Sequence, residues 1–344
     1  MKLRIVRHDL PLKHVFHISS RSYSFVRTIV IRLDQDGLYG CGEFCEDLHY
    51  SASIEDMLDL IEKCRSMVER YALAEPMAFR RALEPLLNGH PFMQNAFDCA
   101  ACDLWGKMRN KPLHQIWGLA AGNAPVSSFT FGIDTLEKID ERFKETPDWS
   151  IYRLKLGDSS DVDILRFLRN KTAAKFHVDV NGGWTVDTFF HRLPFLIEYG
   201  VDLIEQPLAV NDWDGMKKIR KELKKKNIQI PIIADESWRT DEDLERCAGL
   251  FDGINVKLAK CGGLTTARQF VEKLRHKGFK VASAVTAESA IGASATAQIA
   301  PMFDYIALDG FIQVDGTPAT GIMLDKGRIV YSDENGCGIR YALR

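Results

Sequence analysis

The chain has 344 residues, 46% hydrophobic and 27% charged, with a formal net charge of −2. That length exceeds what one hydrophobic core usually supports, so two domains are expected. The near-neutral charge gives no reason to expect nucleic acid or an anionic membrane as partner, and no apolar run approaches the ~20 residues that span a bilayer.

The first stretch, MKLRIVRHDL, carries charges where a signal peptide has its apolar segment, so the expected location is cytoplasmic. Residues 1–10, 24–34 and 37–44 read as strands, with RTIVIRL rich in β-branched residues and a turn signal at Asp36-Gly37. From about 53 to 117 the pattern turns helical, with Ser53 as N-cap before IEDMLDLIEKC and Pro76 opening another helix. Strands followed by helices predict a small α+β domain over residues 1–120. Eight cysteines raise the question of a metal or disulfide, but Cys41 and Cys45 flank GEF with no histidine cluster nearby. Cys99 and Cys102 sit in a run that reads as a buried helix, where small thiols pack well. The nine histidines include no H-x-x-x-H.

From about residue 125 the text alternates. VSSFTFGI, IYRLKL, AKFHVDV, VDLIEQ, IPIIAD, FDGINVKL, FKVASAV and YIALD read as eight short strands, separated by helical segments such as DVDILRFLRNK and LTTARQFVEKLRHKG. Near-continuous apolar strands are expected when both faces are covered. The prediction is an α/β chain with a (β/α)8-type barrel, modified to (β/α)7β, over residues 121–310; periodicity alone leaves a doubly wound sheet open. The tail, 311–344, has hairpin character in FIQVDG and MLDKGRIVYS and is expected to return to the first domain.

Five charged residues stand at the ends of barrel strands: Lys155, Asp179, Glu205, Asp235 and Lys257, at intervals of 24, 26, 30 and 22 residues. Each interval fits one strand, one helix and two short loops. In such a barrel these ends converge on one mouth. Three anionic oxygen donors without cysteine or histidine suit a hard divalent cation, and Mg²⁺ keeps positions open for substrate. The alternative is that each carboxylate pairs with a neighbouring Lys or Arg. Lys155 and Lys257 would approach the metal from opposite sides, where a dication and a second cation lower a lysine's pKa. Two bases across a metal-bound carboxylate suggest 1,1-proton transfer at its α-carbon through an enediolate. The alternative role for the lysines is charge neutralisation.

Together with AFDCAACDLWGK, DVNGGW, IEQP, ADES and INVKLAKCGG, this ordered set resembles the enolase superfamily, in its muconate-lactonizing-enzyme subgroup. The resemblance runs over essentially the whole chain. It implies an α+β domain, built from the N-terminal region and the C-terminal tail, that caps the barrel with specificity loops at residues 14–24 and 45–51. Within the subgroup the chain resembles dipeptide epimerases of the L-Ala-D/L-Glu type. In that resemblance Arg21 of FHISSRS reads the substrate's terminal carboxylate, though an exposed loop arginine is its plain alternative. Two departures follow. Arg153-Leu154-Lys155 replaces the usual K-x-K, so Arg153 stands beside the substrate carboxylate, and Ala307-Leu308-Asp309 keeps only one aspartate of a D-x-D that holds the dipeptide ammonium. Asn181 would bond the metal shell and Glu288 would face substrate, with helix capping the alternative for each. The enzymatic rivals are o-succinylbenzoate synthase, N-acylamino acid racemase and cycloisomerase; the non-enzymatic one is a binding protein that lost turnover. Family members are often homo-oligomers, and no interface stripe is legible here.

Overall fold

A Gly-containing turn sets the first sheet. Asp36 and Gly37 both take positive φ, 51° and 77°, the conformation of a two-residue hairpin turn. In the computed structural model this turn joins β2 (Arg21–Gln35) to β3 (Leu38–Cys45), while β2 also pairs antiparallel with β1 (Lys2–Ile18). The structure describes residues 1–342 apart from 19, 20, 51 and 286; the side chains of Arg21 and His49 also lie outside the described residues. β1 runs eight residues beyond the sequence expectation, and β2 starts three residues before it. Their extension past the register shift between Pro11 and Phe16 is largely solvated, so it carries no in–out alternation to read.

Three helices cover one face of this sheet: α1 (Ile54–Arg70), α2 (Pro76–Leu87) and α3 (Pro91–Met108). Ser53 Oγ accepts from Asp56 N at 3.2 Å, the cap that the sequence predicts, and Pro76 opens α2. Ile29, Ile31 and Leu33 of β2 are fully buried against the helices, whereas Val30 points into the larger core of the barrel. α3 is buried on nearly every side because it lies between sheet and barrel. Its approach to β3 depends on two glycines. A Cβ on Gly40 would fall on the Ala100 carbonyl, and one on Gly42 on the Ala96 carbonyl. We therefore expect Gly42→Val to cost about 1–3 kcal/mol by overpacking, read as a lower denaturant midpoint, since helix backbone has no rotamer to move aside.

The barrel strands are β4 (Phe129–Phe131), β5 (Ile151–Lys155), β6 (Lys175–Asp179), β7 (Val201–Glu205), β8 (Ile232–Ala234), β9 (Gly253–Asn255), β10 (Lys280–Ala284) and β11 (Tyr305–Ala307). They pair in parallel in that order. A bridge between Ser127 and Ile306, with Ser128 N donating to Ile306 O at 3.0 Å, joins first strand to last, so the sheet closes. That settles the barrel against the open sheet. A short α4 (Leu113–Ile116) precedes it, and α5 (Leu136–Glu145), α6 (Asp161–Arg169), α7 (Val186–Glu198), α8 (Trp213–Lys225), α9 (Asp241–Cys247), α10 (Leu258–Cys261), α11 (Leu264–His276) and α12 (Ala290–Ala297) follow its strands. Asp98 on α3 ties the two parts together, accepting from Thr265 N at 2.9 Å and Thr265 Oγ1 at 2.6 Å at the start of α11.

In the tail, Asp309–Gln313 forms a 3-10 turn where FIQVDG was expected to begin a hairpin. The hairpin that does form is β13 (Met323–Asp325) with β14 (Arg328–Val330), between β12 (Ala319–Thr320) and its partner β15 (Arg340–Tyr341). The tail returns to the first sheet and its helices. Buried Asp103 accepts from Cys41 N at 2.9 Å, Cys337 N at 2.8 Å and Lys107 Nζ at 2.8 Å, and Tyr341 N donates to Tyr39 Oη at 3.1 Å. The eight cysteines are free thiols, seven of them buried. Among the described residues no helix is long and apolar enough to cross a membrane.

Candidate active site

Register delivers the acidic residues to one place. Asp179 ends β6 and Glu205 ends β7, directly opposite each other in the pairing, and Asp235 follows β8 immediately. Lys155, at the end of β5, pairs in register with Asp179. Lys257 lies two residues beyond β9, four strands round the ring from Lys155. The carboxylate side chains are at most 5% exposed.

These buried anions are held by cations. The Arg153 guanidinium bridges Asp179 and Glu205, donating to Glu205 Oε2 at 2.8 Å. Lys155 Nζ donates to Asp179 Oδ2 at 2.6 Å and to Asn181 Oδ1 at 2.9 Å. On the other side Asp235 accepts from Lys257 at 2.6 Å through Oδ2 and from Lys260 at 2.6 Å through Oδ1. Asn255 Nδ2 donates to Glu205 Oε1 at 2.7 Å.

The two lysines differ electrostatically. Burial pulls Lys155 below the ordinary lysine value, reinforced by the adjacent Arg153 charge and opposed by Asp179. Burial acts the same way on Lys257, but Asp235, with Tyr50 and Glu236, outweighs it and holds that ammonium well above the ordinary value. The sequence expectation of lowered values concerned lysines beside a dication; the protein's own charges alone lower Lys155 and raise Lys257. Glu205 is pushed up to about 7, chiefly by burial, with Asp179 and Asp235 adding to it against Arg153.

As they stand, no three acidic, histidine or cysteine side chains among the described residues converge closely enough to ligate one ion, because their oxygens are turned to Arg153, Lys155, Lys257 and Lys260. The chemistry of the donor set nevertheless fits a hard divalent cation. It offers three buried carboxylates from consecutive strands, with no sulfur or nitrogen donor among them. Glu236 adds a buried Oε2 with no hydrogen-bond partner among the described residues, and its Oε1 accepts from Asn181 Nδ2 at 3.0 Å.

Arg153, Lys155 and Lys257 line a cleft of about 810 Å³ between barrel mouth and first sheet. Asp309 stands in its wall, just past β11, and accepts from Thr130 N at 2.8 Å, Thr130 Oγ1 at 3.0 Å and Gln313 Nε2 at 2.7 Å. The side chain of Arg21 lies outside the described residues. Glu288 does not line this cleft. It borders a smaller void behind Lys257, with a buried Oε1 that has no partner among the described residues, and burial followed by the charge of Glu43 raises its pKa well above the usual range. Neither Glu288 nor Asn181 caps a helix, since Ser289 caps α12 and Thr185 caps α7. Sequence reasoning missed Asn255, Lys260 and Glu236. Asn255 precedes Lys257 by two, the strand period, and Lys260 follows it by three, about one helical turn, so the spacing within INVKLAKCGG carried both signals.

Comparison with known proteins places this geometry among relatives. The family described as "Enolase C-terminal domain-like" matches residues 137–343. An L-Ala-D/L-amino acid epimerase of Maribacter sp. is 37% identical over 340 residues, covering 98% of this chain and 99% of the relative. One of Flavobacterium johnsoniae is 34% identical over 339 residues, again 98% and 99%. Among solved structures, the dipeptide epimerase of Methylococcus capsulatus, complexed with Mg and L-Arg-D-Lys, superposes with a TM-score of 0.89 at 26% identity, covering 99% of this chain and 100% of that one.

Proposed function

The chain belongs to the enolase superfamily, and on that premise we propose that it is a Mg²⁺-dependent dipeptide epimerase. The observation that carries the reading is one cleft lined by two lysines four strands apart in an eight-stranded ring, with three carboxylates on the strands between them. A single-base elimination needs only one of these lysines. Lys155 Nζ takes the Cα proton from one face of the C-terminal residue and Lys257 Nζ delivers a proton to the other, the roles reversing for the opposite configuration. Asp179, Glu205 and Asp235 would hold the cation, which supplies the positive charge that acidifies the Cα proton. Arg153 sits beside the carboxylate cluster and, unable to lose its proton, keeps Lys155 under a constant positive field.

Asp309 is the group suited to the dipeptide ammonium. Its carboxylate is fixed by Thr130 and Gln313 and lines the cleft with no cation in hydrogen-bond contact among the described residues. We expect Asp309→Asn to raise KM about tenfold or more with a smaller change in kcat, because it removes a binding charge remote from the reacting carbon. The reading itself is tested by incubating L,L- and L,D-dipeptides in D2O with Mg²⁺ and following deuterium at Cα by mass. Exchange that stops with EDTA supports it; no exchange into any dipeptide rejects it.

A further inference from the structure

The first sheet supplies one wall of the cleft, and its side chains are largely apolar. Leu12 and Phe16 of β1, Tyr23, Phe25 and Val26 of β2, and Leu48 beyond β3 line the cleft opposite the lysines. Phe16 and Tyr23 are cross-strand partners whose rings stack at 6.0 Å with an interplanar angle of 6°. Phe25 is 52% and Leu48 63% exposed, so two large apolar side chains stand in water at the mouth of a cleft. Exposed apolar surface concentrated in a concave site marks a place that an apolar group occupies.

The charges of the wall are already paired. Arg27 makes a two-pronged bond to Glu46, at 2.7 Å from Nε and 2.6 Å from Nη2, and also reaches Glu55 at 3.2 Å. Arg7 Nε lies 3.5 Å from Asp9. Arg153, Lys155 and Lys257 belong to the reacting centre on the barrel side and are not part of this wall. Among the described side chains of this wall, Arg7 and Arg27 therefore each face a carboxylate. A side-chain carboxylate on the substrate would have to compete with a partner already in place.

We propose that this wall is a subsite for a large apolar or aromatic C-terminal side chain, with Phe16, Tyr23, Phe25 and Leu48 determining specificity. The proposal rests on the epimerase reading and departs from the acidic substrate that Arg21 suggests. Ala-Phe and Ala-Leu dipeptides are its expected substrates. A pocket that desolvates an aromatic ring discriminates by transfer free energy, which is worth about tenfold or more against a residue lacking that surface.

The test is a set of kcat/KM values, from deuterium exchange with Mg²⁺, for L-Ala-L-Phe, L-Ala-L-Leu, L-Ala-L-Ala, L-Ala-L-Glu and L-Ala-L-Lys. Values for Phe and Leu exceeding those for Ala, Glu and Lys by about tenfold or more support the subsite. Glu or Lys leading the series overturns it while leaving the epimerase reading intact. Exchange with none of the five overturns both. Phe25→Ser and Leu48→Ser, at half-exposed positions whose loss leaves the cores intact, give the second readout. The ratio of kcat/KM for Ala-Phe over Ala-Ala should fall about tenfold, through KM, and an unchanged ratio in both variants overturns the assignment.

Discussion

Lys155→Ala and Lys257→Ala should each abolish epimerisation in both directions, yet each should spare deuterium exchange from one configuration at Cα. With Lys257 gone, a dipeptide whose α-proton faces Lys155 still loses it and regains a deuteron on the same face, with retention. The other configuration presents its proton to an alanine and is inert. Lys155→Ala gives the mirror result. A positioned general base is worth about 10²–10⁴ in rate, so the silent configuration should fall by at least that much. The structure also says why both variants should fold. Asp179 loses Lys155 but keeps Arg153, and Asp235 loses Lys257 but keeps Lys260, so neither buried carboxylate is stranded. If both variants lose exchange from the same configuration, a single base does the chemistry and the eliminating relatives of the family become the better reading.

The sequence showed the barrel because parallel strands buried on both faces leave apolar runs that end abruptly in charge, as in VDLIE and IPIIAD. Those terminal charges were legible for the same reason: a carboxylate at the end of an apolar strand has nowhere to go but the mouth. What the sequence hid lies in the first sheet. The outer halves of β1 and β2 are solvated, so residues 11–18 alternate weakly and read as loop. Yet that ribbon carries Leu12, Phe16 and Tyr23 into the cleft. Lys260 and Asn255 were hidden for a different reason. Spacing places both beside Lys257, but their partners, Asp235 for one and Glu205 for the other, lie on other strands, and that pairing leaves no local trace. Glu288 illustrates the converse. Its position near a strand end suggested the substrate, but the turn leading into α12 points it at Glu43 behind Lys257.

Asp235→Asn and Glu205→Gln should separate metal binding from stability, although both remove a charge from the same cluster. Among the described residues Asp235 is the carboxylate in ion-pair contact with both Lys257 and Lys260, and their ammonium groups, outweighing the cost of burial, hold it far below the usual carboxylate range. A folded-state pKa depressed in this way contributes stability that is present above the unfolded value and lost only as pH falls through the folded one. At neutral pH, Asn at this position therefore leaves two buried ammonium groups facing an amide, a loss of about 3–5 kcal/mol. Glu205 has the opposite sign. Burial raises it from 4.5 to about 7, so keeping it ionised costs stability progressively as pH rises through that window. Gln removes the cost and retains an oxygen for Asn255, so at pH 8 its denaturation midpoint should stay close to that of the parent. Both variants should weaken Mg²⁺ binding about tenfold or more in calorimetric titration, since each loses an anionic donor. Equal destabilisation of the two would show that the paired cations, Arg153 for Glu205 and the two lysines for Asp235, and not burial, govern the whole cluster; unaltered Mg²⁺ affinity in both would remove these carboxylates from the metal site.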